Sequence, residues 1–140
     1  RGALRLQGFR AEAERNGQTL ARVETVEDVR NIADGRAALT RLLAGGNKVD
    51  AAFCANDLLA TGALIEARAR GLAIPSDLAI LGFGDNDTAG EIAPGLTTIS
   101  MDAHELGRRA GALLRDRLGG REPRQPLQNL ALHLIVRGST

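Results

Sequence analysis

Apolar positions along this chain fall into two alternating patterns, stretches with helical spacing and short unbroken apolar runs. Residues 3 to 16 carry Leu6, Phe9 and Ala13 at helical spacing among Arg, Gln and Glu, and Asn16-Gly17 supplies a stop. "TLARVETV" predicts a strand, the polar stretch "EDVRNIADG" a loop, and "RAALTRLLA" a second helix closed by Gly45-Gly46. "VDAAFCA" is apolar without alternation, as expected of a strand covered on both faces, and a helix over residues 57 to 70 follows at once. Gly71 and "IPSD" punctuate before a further buried strand, "LAILGFG". The next stretch, "DNDTAGEIAPG", reads as a loop with one helical turn.

"LTTIS" predicts a fourth short strand. Asp102 and Glu105 form a capping-box-like pair opening a helix that sets Leu106, Ala110, Leu113, Leu114 and Leu118 on one face. "GGREPRQP" ends that helix as a crossover linker, and "LQNLALHLIV" alternates enough for a closing strand. Strands that alternate with helices favour an α/β fold, a right-handed parallel sheet with helices on both faces. In such sheets ligands gather at the carboxyl ends of strands, where loops meet helix N-termini. Asn56 and Asp57 stand at one such end, Asp85 and Asp87 at another.

Composition narrows the chemistry. The core must come from Leu, Ile, Val and Ala, because the chain holds three Phe and neither Trp nor Tyr. The net charge of +1 is spread along the chain, so the basic face expected of a nucleic-acid surface is missing. Cys54 is the single cysteine and reads as a reduced, buried thiol. No run approaches the roughly 20 apolar residues of a membrane span, and "RGALRLQGFR" lacks the apolar core of a signal peptide. The first residue is Arg1, which points to a fragment of a longer protein.

"GFGDND" lacks the third glycine of a dinucleotide fingerprint, since Asp87 stands there, and no P-loop sequence is present; no cofactor is expected. Asp85, Asp87 and Gly90 are spaced as in a calcium loop, but Ala89 and Leu96 occupy positions where that loop needs oxygen ligands, so no metal is expected. His104 and His133 lie far apart, and Ser76, Ser100 and Ser139 lack a nucleophile-elbow setting, so the chain is not read as an enzyme. Asn56 suits the N-cap of the helix over 57 to 70, and its amide could also meet a ligand hydroxyl. Asp57 reads as a first-turn charge favoured by the helix dipole. Asp85 and Asp87 read either as turn formers or as acceptors for ligand hydroxyls. Arg1 and Arg5, near a helix start, read as solvated charges or as partners of an anion.

Four stretches carry a resemblance. "RLQGF", "FCANDLLATGAL", "GLAIPSDLAILGFGD" and "APGLTTISMDAHELGRRAGALLRDRL" occur in the order and spacing of the LacI/GalR family of bacterial transcription repressors. The resemblance spans essentially the whole chain and implies part of a periplasmic-binding-protein-like fold of type I, built from two α/β lobes joined by three crossing segments. It implies that residues 1 to 96 form the C-terminal lobe without its first strand. Residues 97 to 126 would then be a crossing and a helix of the N-terminal lobe, and residues 127 to 140 a returning strand segment.

The implied function is a sugar- or sugar-acid-responsive repressor. This chain would be its effector-binding and dimerisation region, lacking the head that contacts operator DNA, in a cytoplasmic protein. The same fold serves periplasmic sugar-binding proteins of transport systems, the alternative, although "LTTISMD" followed by "ELGRRAGALL" looks more like the repressors. Arg5 in "RLQGF" matches the arginine that reaches effector oxygens, Asn56 matches the position before the aspartate of the "ND" pattern, and Asp85, Arg1 and Met101 complete the implied ligand-binding set. Two departures stand out: "GFGD" puts Gly84 where many members have the ligand-contacting aspartate, and no aromatic residue lies between Thr25 and Gly35. The "GFGD" form resembles the gluconate-repressor subgroup, which with Arg1 and Arg5 implies a sugar acid or phosphorylated sugar. A homodimer is expected, with exchanged elements as one way for a lone fragment to cover strand edges. Thr61 and Ile65 are candidates for the dimer surface or for packing within the lobe.

Overall fold

The computed structural model describes residues 2 to 18, 20, 22 to 46, 48 to 122 and 128 to 140. Arg1, much of the linker expected at 121 to 126 and part of the strand expected at 19 to 26 lie outside the described residues. The elements run α1 (Gly2–Arg15), α2 (Ile32–Leu43), β1 (Ala51–Phe53), α3 (Asp57–Ala69), β2 (Ala79–Phe83), α4 (Asp87–Glu91), β3 (Thr97–Met101), α5 (Ala103–Leu118) and β4 (Leu132–Ile135).

The sheet has strand order β1-β2-β3-β4. β1, β2 and β3 pair in parallel, with Phe53 opposite Leu81 and Phe83 opposite Ile99, whereas β4 runs antiparallel to β3, with Met101 opposite Leu132. The fully parallel sheet expected from the sequence is therefore mostly parallel. The exception is the strand whose alternating pattern fits an antiparallel edge better than a buried parallel strand.

Side-chain alternation along β2 separates the two faces of the sheet. Ile80 and Gly82 are buried on one face, where a Cβ at Gly82 would meet Asp57 and Ala60 of α3. Leu81 and Phe83 lie on the other, where the Phe9 ring of α1 packs 5.2 Å from the Phe53 ring and Arg5 covers Phe83. Helices thus lie on both faces, α3 packed closely on one and α1 touching the other through Phe9 and Arg5. The core consists of Leu39, Ala60, Ala63, Leu64, Ala67, Leu78, Ile80, Ala89 and Leu96, centred where α2 and α3 pack together over β2.

Local chemistry explains the element boundaries. α2 starts four residues before the expected helix, inside the stretch read as a loop. Asn31 accepts from the Asp34 backbone N–H while the Asp34 carboxylate accepts from Asn31, a complete capping box. Two backbone donors hold the Asp34 carboxyl below its ordinary range, the Arg30 N–H foremost and then that of Asn31. Asn56 caps α3 by accepting from the Leu59 N–H at 2.9 Å, as expected.

Residues 22 to 26 form no strand, contrary to the sequence pattern. A strand needs a ladder partner for its backbone groups, and β1, only three residues long, stands at the edge of the sheet without pairing to this segment. Glu24 instead ties it down through ion pairs with Arg22 and Arg41. Thr61 is 4% exposed, buried against its own chain, so for this residue internal packing prevails over the dimer-surface reading.

α5 differs from α3 in having no buried residue. Its stripe is open to solvent, with Leu106 43%, Leu114 61% and Leu118 81% exposed, and on β4 Leu132 and Leu134 are exposed too. Asp102 caps this helix through the Glu105 N–H at 2.8 Å. The Glu105 carboxylate accepts from Arg108 and then Arg109, which lowers its pKa to about 2.

A depressed carboxylate pKa favours the folded state at pH values above the ordinary one. The contribution of Glu105 is therefore complete above about pH 4.5 and disappears as the pH falls toward about 2. An NMR pH titration is expected to give a Glu105 midpoint well below those of carboxylates without arginine partners, and Glu105→Gln should flatten the loss of stability over that acid range. A Glu105 midpoint in the ordinary range would contradict the arginine clamp.

Candidate functional site

β1, β2 and β3 point their carboxyl ends the same way, and the loops that leave them carry most of the residues singled out in the sequence. Arg5 reaches this edge from α1. Its Nη1 donates to the Ala55 carbonyl at 2.6 Å, and its guanidinium lies over the Phe83 ring, 3.7 Å from the centroid. One side chain thereby joins α1 to the loops after β1 and β2. Asn56 stands next to Ala55; its Oδ1 is committed to the helix cap, while its Nδ2 donors have no partner among the described residues.

Asp57, read from the sequence as a first-turn charge, is 2% exposed and bridges three elements. Its carboxylate accepts from Thr98 Oγ1 on β3 at 2.6 Å and from the Asn86 N–H at the start of α4 at 2.9 Å. Gly82 makes this possible, because a Cβ there would sit 2.3 Å from Asp57 Oδ1. The signal available in the sequence was an aspartate opening a helix beside a strand ending Gly-Phe-Gly, which leaves room for a side chain from the neighbouring element.

Asp85 adopts φ +54, a left-handed conformation, immediately after Gly84 at φ +134. Its carboxylate pairs with Arg137 at 2.9 Å, and Arg137 also donates to the Leu96 carbonyl and, through its backbone N–H, to Thr97 Oγ1. The acid expected as a ligand acceptor is thus already engaged by a cation from the C-terminal segment. Ser139 secures the same segment: its Oγ donates to the Ile80 carbonyl and accepts from the Thr97 N–H.

Met101 is 37% exposed at the end of β3 and, by alternation, shares the sheet face of Ile99 and Phe83. Cys54 directly follows β1, and burial foremost, then the Asp57 carboxylate, push its thiol up to about 12, so it stays protonated near neutral pH. The described residues contain no cluster of three or more His, Cys, Asp or Glu able to hold a metal ion. The arrangement is a polar ledge with one oriented arginine, one capping amide and one neutralised acid, suited to holding oxygen-rich molecules by hydrogen bonds.

The whole chain, residues 1 to 140, matches the family model for the periplasmic binding protein-like domain. The chain belongs to this family. Its domain is 39% identical over 106 residues to the HTH-type transcriptional repressor CytR of Escherichia coli K12, a match covering 76% of the chain and 31% of that repressor. Among solved structures, a transcription regulator GntR from Chromobacterium violaceum superposes with a TM-score of 0.90 at 34% identity, over 99% of this chain and 51% of that one. A CelR–cellobiose complex, also a transcriptional regulator, superposes with a TM-score of 0.85 at 34% identity, covering 97% of this chain and 42% of that one.

The periplasmic-binding-protein-like domain described here therefore spans about a third to a half of the lengths of these relatives. The likeness to LacI-type regulators read from the four sequence stretches is borne out, and the relatives are transcription regulators rather than enzymes. Among the described residues no helix is long and apolar enough to cross a membrane.

Proposed function

We propose that this chain is the effector-sensing part of a bacterial transcription repressor that responds to a sugar or sugar acid and acts on operator DNA through a separate head. The observation that carries the reading is the Arg5 guanidinium held between the Ala55 carbonyl and the Phe83 ring at the carboxyl ends of the parallel strands. That edge is where open α/β sheets bind ligands. Within this reading Arg5, Asn56 and Met101 contact the effector, together with Arg1. Asp85 serves the site through its pair with Arg137.

Residues 1 to 96 act as most of one lobe. α5 and its exposed leucines dock on a second lobe, and the C-terminal segment returns as a further connection. Closure of the lobes on the effector would change the spacing of the DNA-binding heads of a homodimer, because a ligand shifts an equilibrium only through unequal affinity for two states. Such a regulator works in the cytoplasm. A transport-type sugar-binding protein shares the fold, but CytR, GntR and CelR all bear the names of regulators.

In the full-length protein, Arg5→Ala should weaken effector binding by about 10- to 100-fold, the equivalent of losing hydrogen bonds to a charged group. Asn56→Ser keeps a capping oxygen while removing the amide donors, and should weaken binding by about tenfold with melting unchanged. Calorimetric titration with gluconate, 6-phosphogluconate and neutral hexoses reads both effects. Unchanged affinity in both variants would remove this site assignment.

A further inference from the structure

No aromatic residue lies between Thr25 and Gly35, but Phe83 sets an aromatic ring at the carboxyl end of β2. This ring lies at the last position of β2, on the sheet face covered by α1, and is only partly buried. Its face is covered by the Arg5 guanidinium at 3.7 Å, too close for a separate ligand to stack on the same side. We infer that Phe83 is a positioning residue for Arg5: it holds the guanidinium flat while the Ala55 carbonyl fixes one nitrogen, so that the remaining N–H groups are presented to an oxyanion at the strand ends.

Several observations converge on this role. A guanidinium on an aromatic face keeps its in-plane donors available, because the ring engages only its π surface. An arginine otherwise loses much side-chain freedom on binding, and prior orientation lowers that loss. Asp85, two residues beyond Phe83, is paired with Arg137, and among the described residues Arg5 forms no ion pair with a carboxylate. The consequence is a preference for ligands that carry a carboxylate or phosphate over neutral hexoses. This deepens the proposed function and rests on it for the ligand class, but the positioning role is testable without any ligand.

Two arms, both in the full-length protein, test the inference. In the absence of ligand, the Arg5 Nε–H resonance, assigned by its loss in Arg5→Lys, is expected to carry a ring-current shift that disappears in Phe83→Leu and persists in Phe83→Tyr. With gluconate and 6-phosphogluconate as probes, Phe83→Leu should lower affinity about tenfold and Phe83→Tyr should restore it, while any binding of neutral glucose changes little. An Arg5 resonance indifferent to Phe83→Leu overturns the positioning role whatever the ligand. Equal losses for acidic and neutral probes, or no rescue by Tyr, would reduce Phe83 to a packing residue. If the wild type binds none of the acids, the ligand class fails while the resonance still decides the positioning.

Discussion

Gly62→Ala is expected to destabilise the domain by about 3 kcal/mol, although alanine favours a helix over glycine by about 1 kcal/mol. The reason is the α2–α3 crossing. A Cβ at Gly62 would lie 2.2 Å from the Ile32 carbonyl oxygen, 2.7 Å from Gly35 Cα and 2.8 Å from the Arg36 nitrogen. All three are backbone atoms, so no side chain can rotate away and the helices must move apart. Gly35 meets Leu59 backbone in the same way, with 2.3 Å to its carbonyl oxygen, so the two glycines form one interlocked contact. Separation would loosen Leu39 against Ala63 and Leu64, which are part of the core. Gly111→Ala on α5 is the control: nothing lies within 4 Å of its Cβ position, and the same substitution should stabilise by up to about 1 kcal/mol. Chemical denaturation of both variants measures the pair. A Gly62→Ala protein as stable as wild type would mean that the helices cross at a greater distance.

Asp57→Ala is expected to cost about 3–5 kcal/mol and to loosen the edge at the carboxyl ends of the strands as well. The substitution removes the acceptor for the buried Thr98 hydroxyl and for the Asn86 N–H, and bonds to a charged acceptor each contribute about 1.5–3 kcal/mol. The two donors come from β3 and from the loop after β2, so the carboxylate holds the ends of the strands in register with the start of α3. Asp57→Asn preserves the shape but supplies one acceptor oxygen, and should retain part of the stability. Thr98→Val should be costly in the presence of Asp57 and much less so in its absence, giving a coupling energy in a double-mutant cycle. Additive effects would show that the two side chains do not share a bond.

The sequence made the βα rhythm from Val49 to Leu118 legible because each element there contains its own signal: an unbroken apolar run for a strand, an Asn or Asp cap for a helix. It failed at residues 22 to 26, where strand propensity is present but the ladder partner is not, and at residues 32 to 35, where polar composition masked a helix opened by the Asn31–Asp34 box. The direction of β4 depends on a crossover that no local pattern encodes. Of the candidate site, the capping role of Asn56 was legible from its place between a strand and a helix, whereas Arg5, by position a solvated charge or an anion's partner, stood out only through the resemblance of "RLQGF" to the family. The burial of Asp57 was not legible, since it depends on the space left by Gly82 and the hydroxyl of Thr98 on other strands. Nor was the commitment of Asp85 to Arg137, a partner 52 residues away. Pair contacts of this kind are properties of the fold, and a single chain read locally does not carry them.

Within the proposed function, the two departures in sequence bear on the arginine ledge. Asp85, one place after Gly84, is paired with Arg137 of the C-terminal segment, and Phe83 lies beneath the Arg5 guanidinium. The most direct measurement is calorimetric titration of the full-length protein with gluconate, 6-phosphogluconate and a neutral hexose panel, with operator binding followed in parallel. Saturable binding of an acid that alters operator affinity is expected; binding of neutral sugars alone, or of an acid with no effect on the operator, would contradict a sugar-acid-sensing repressor.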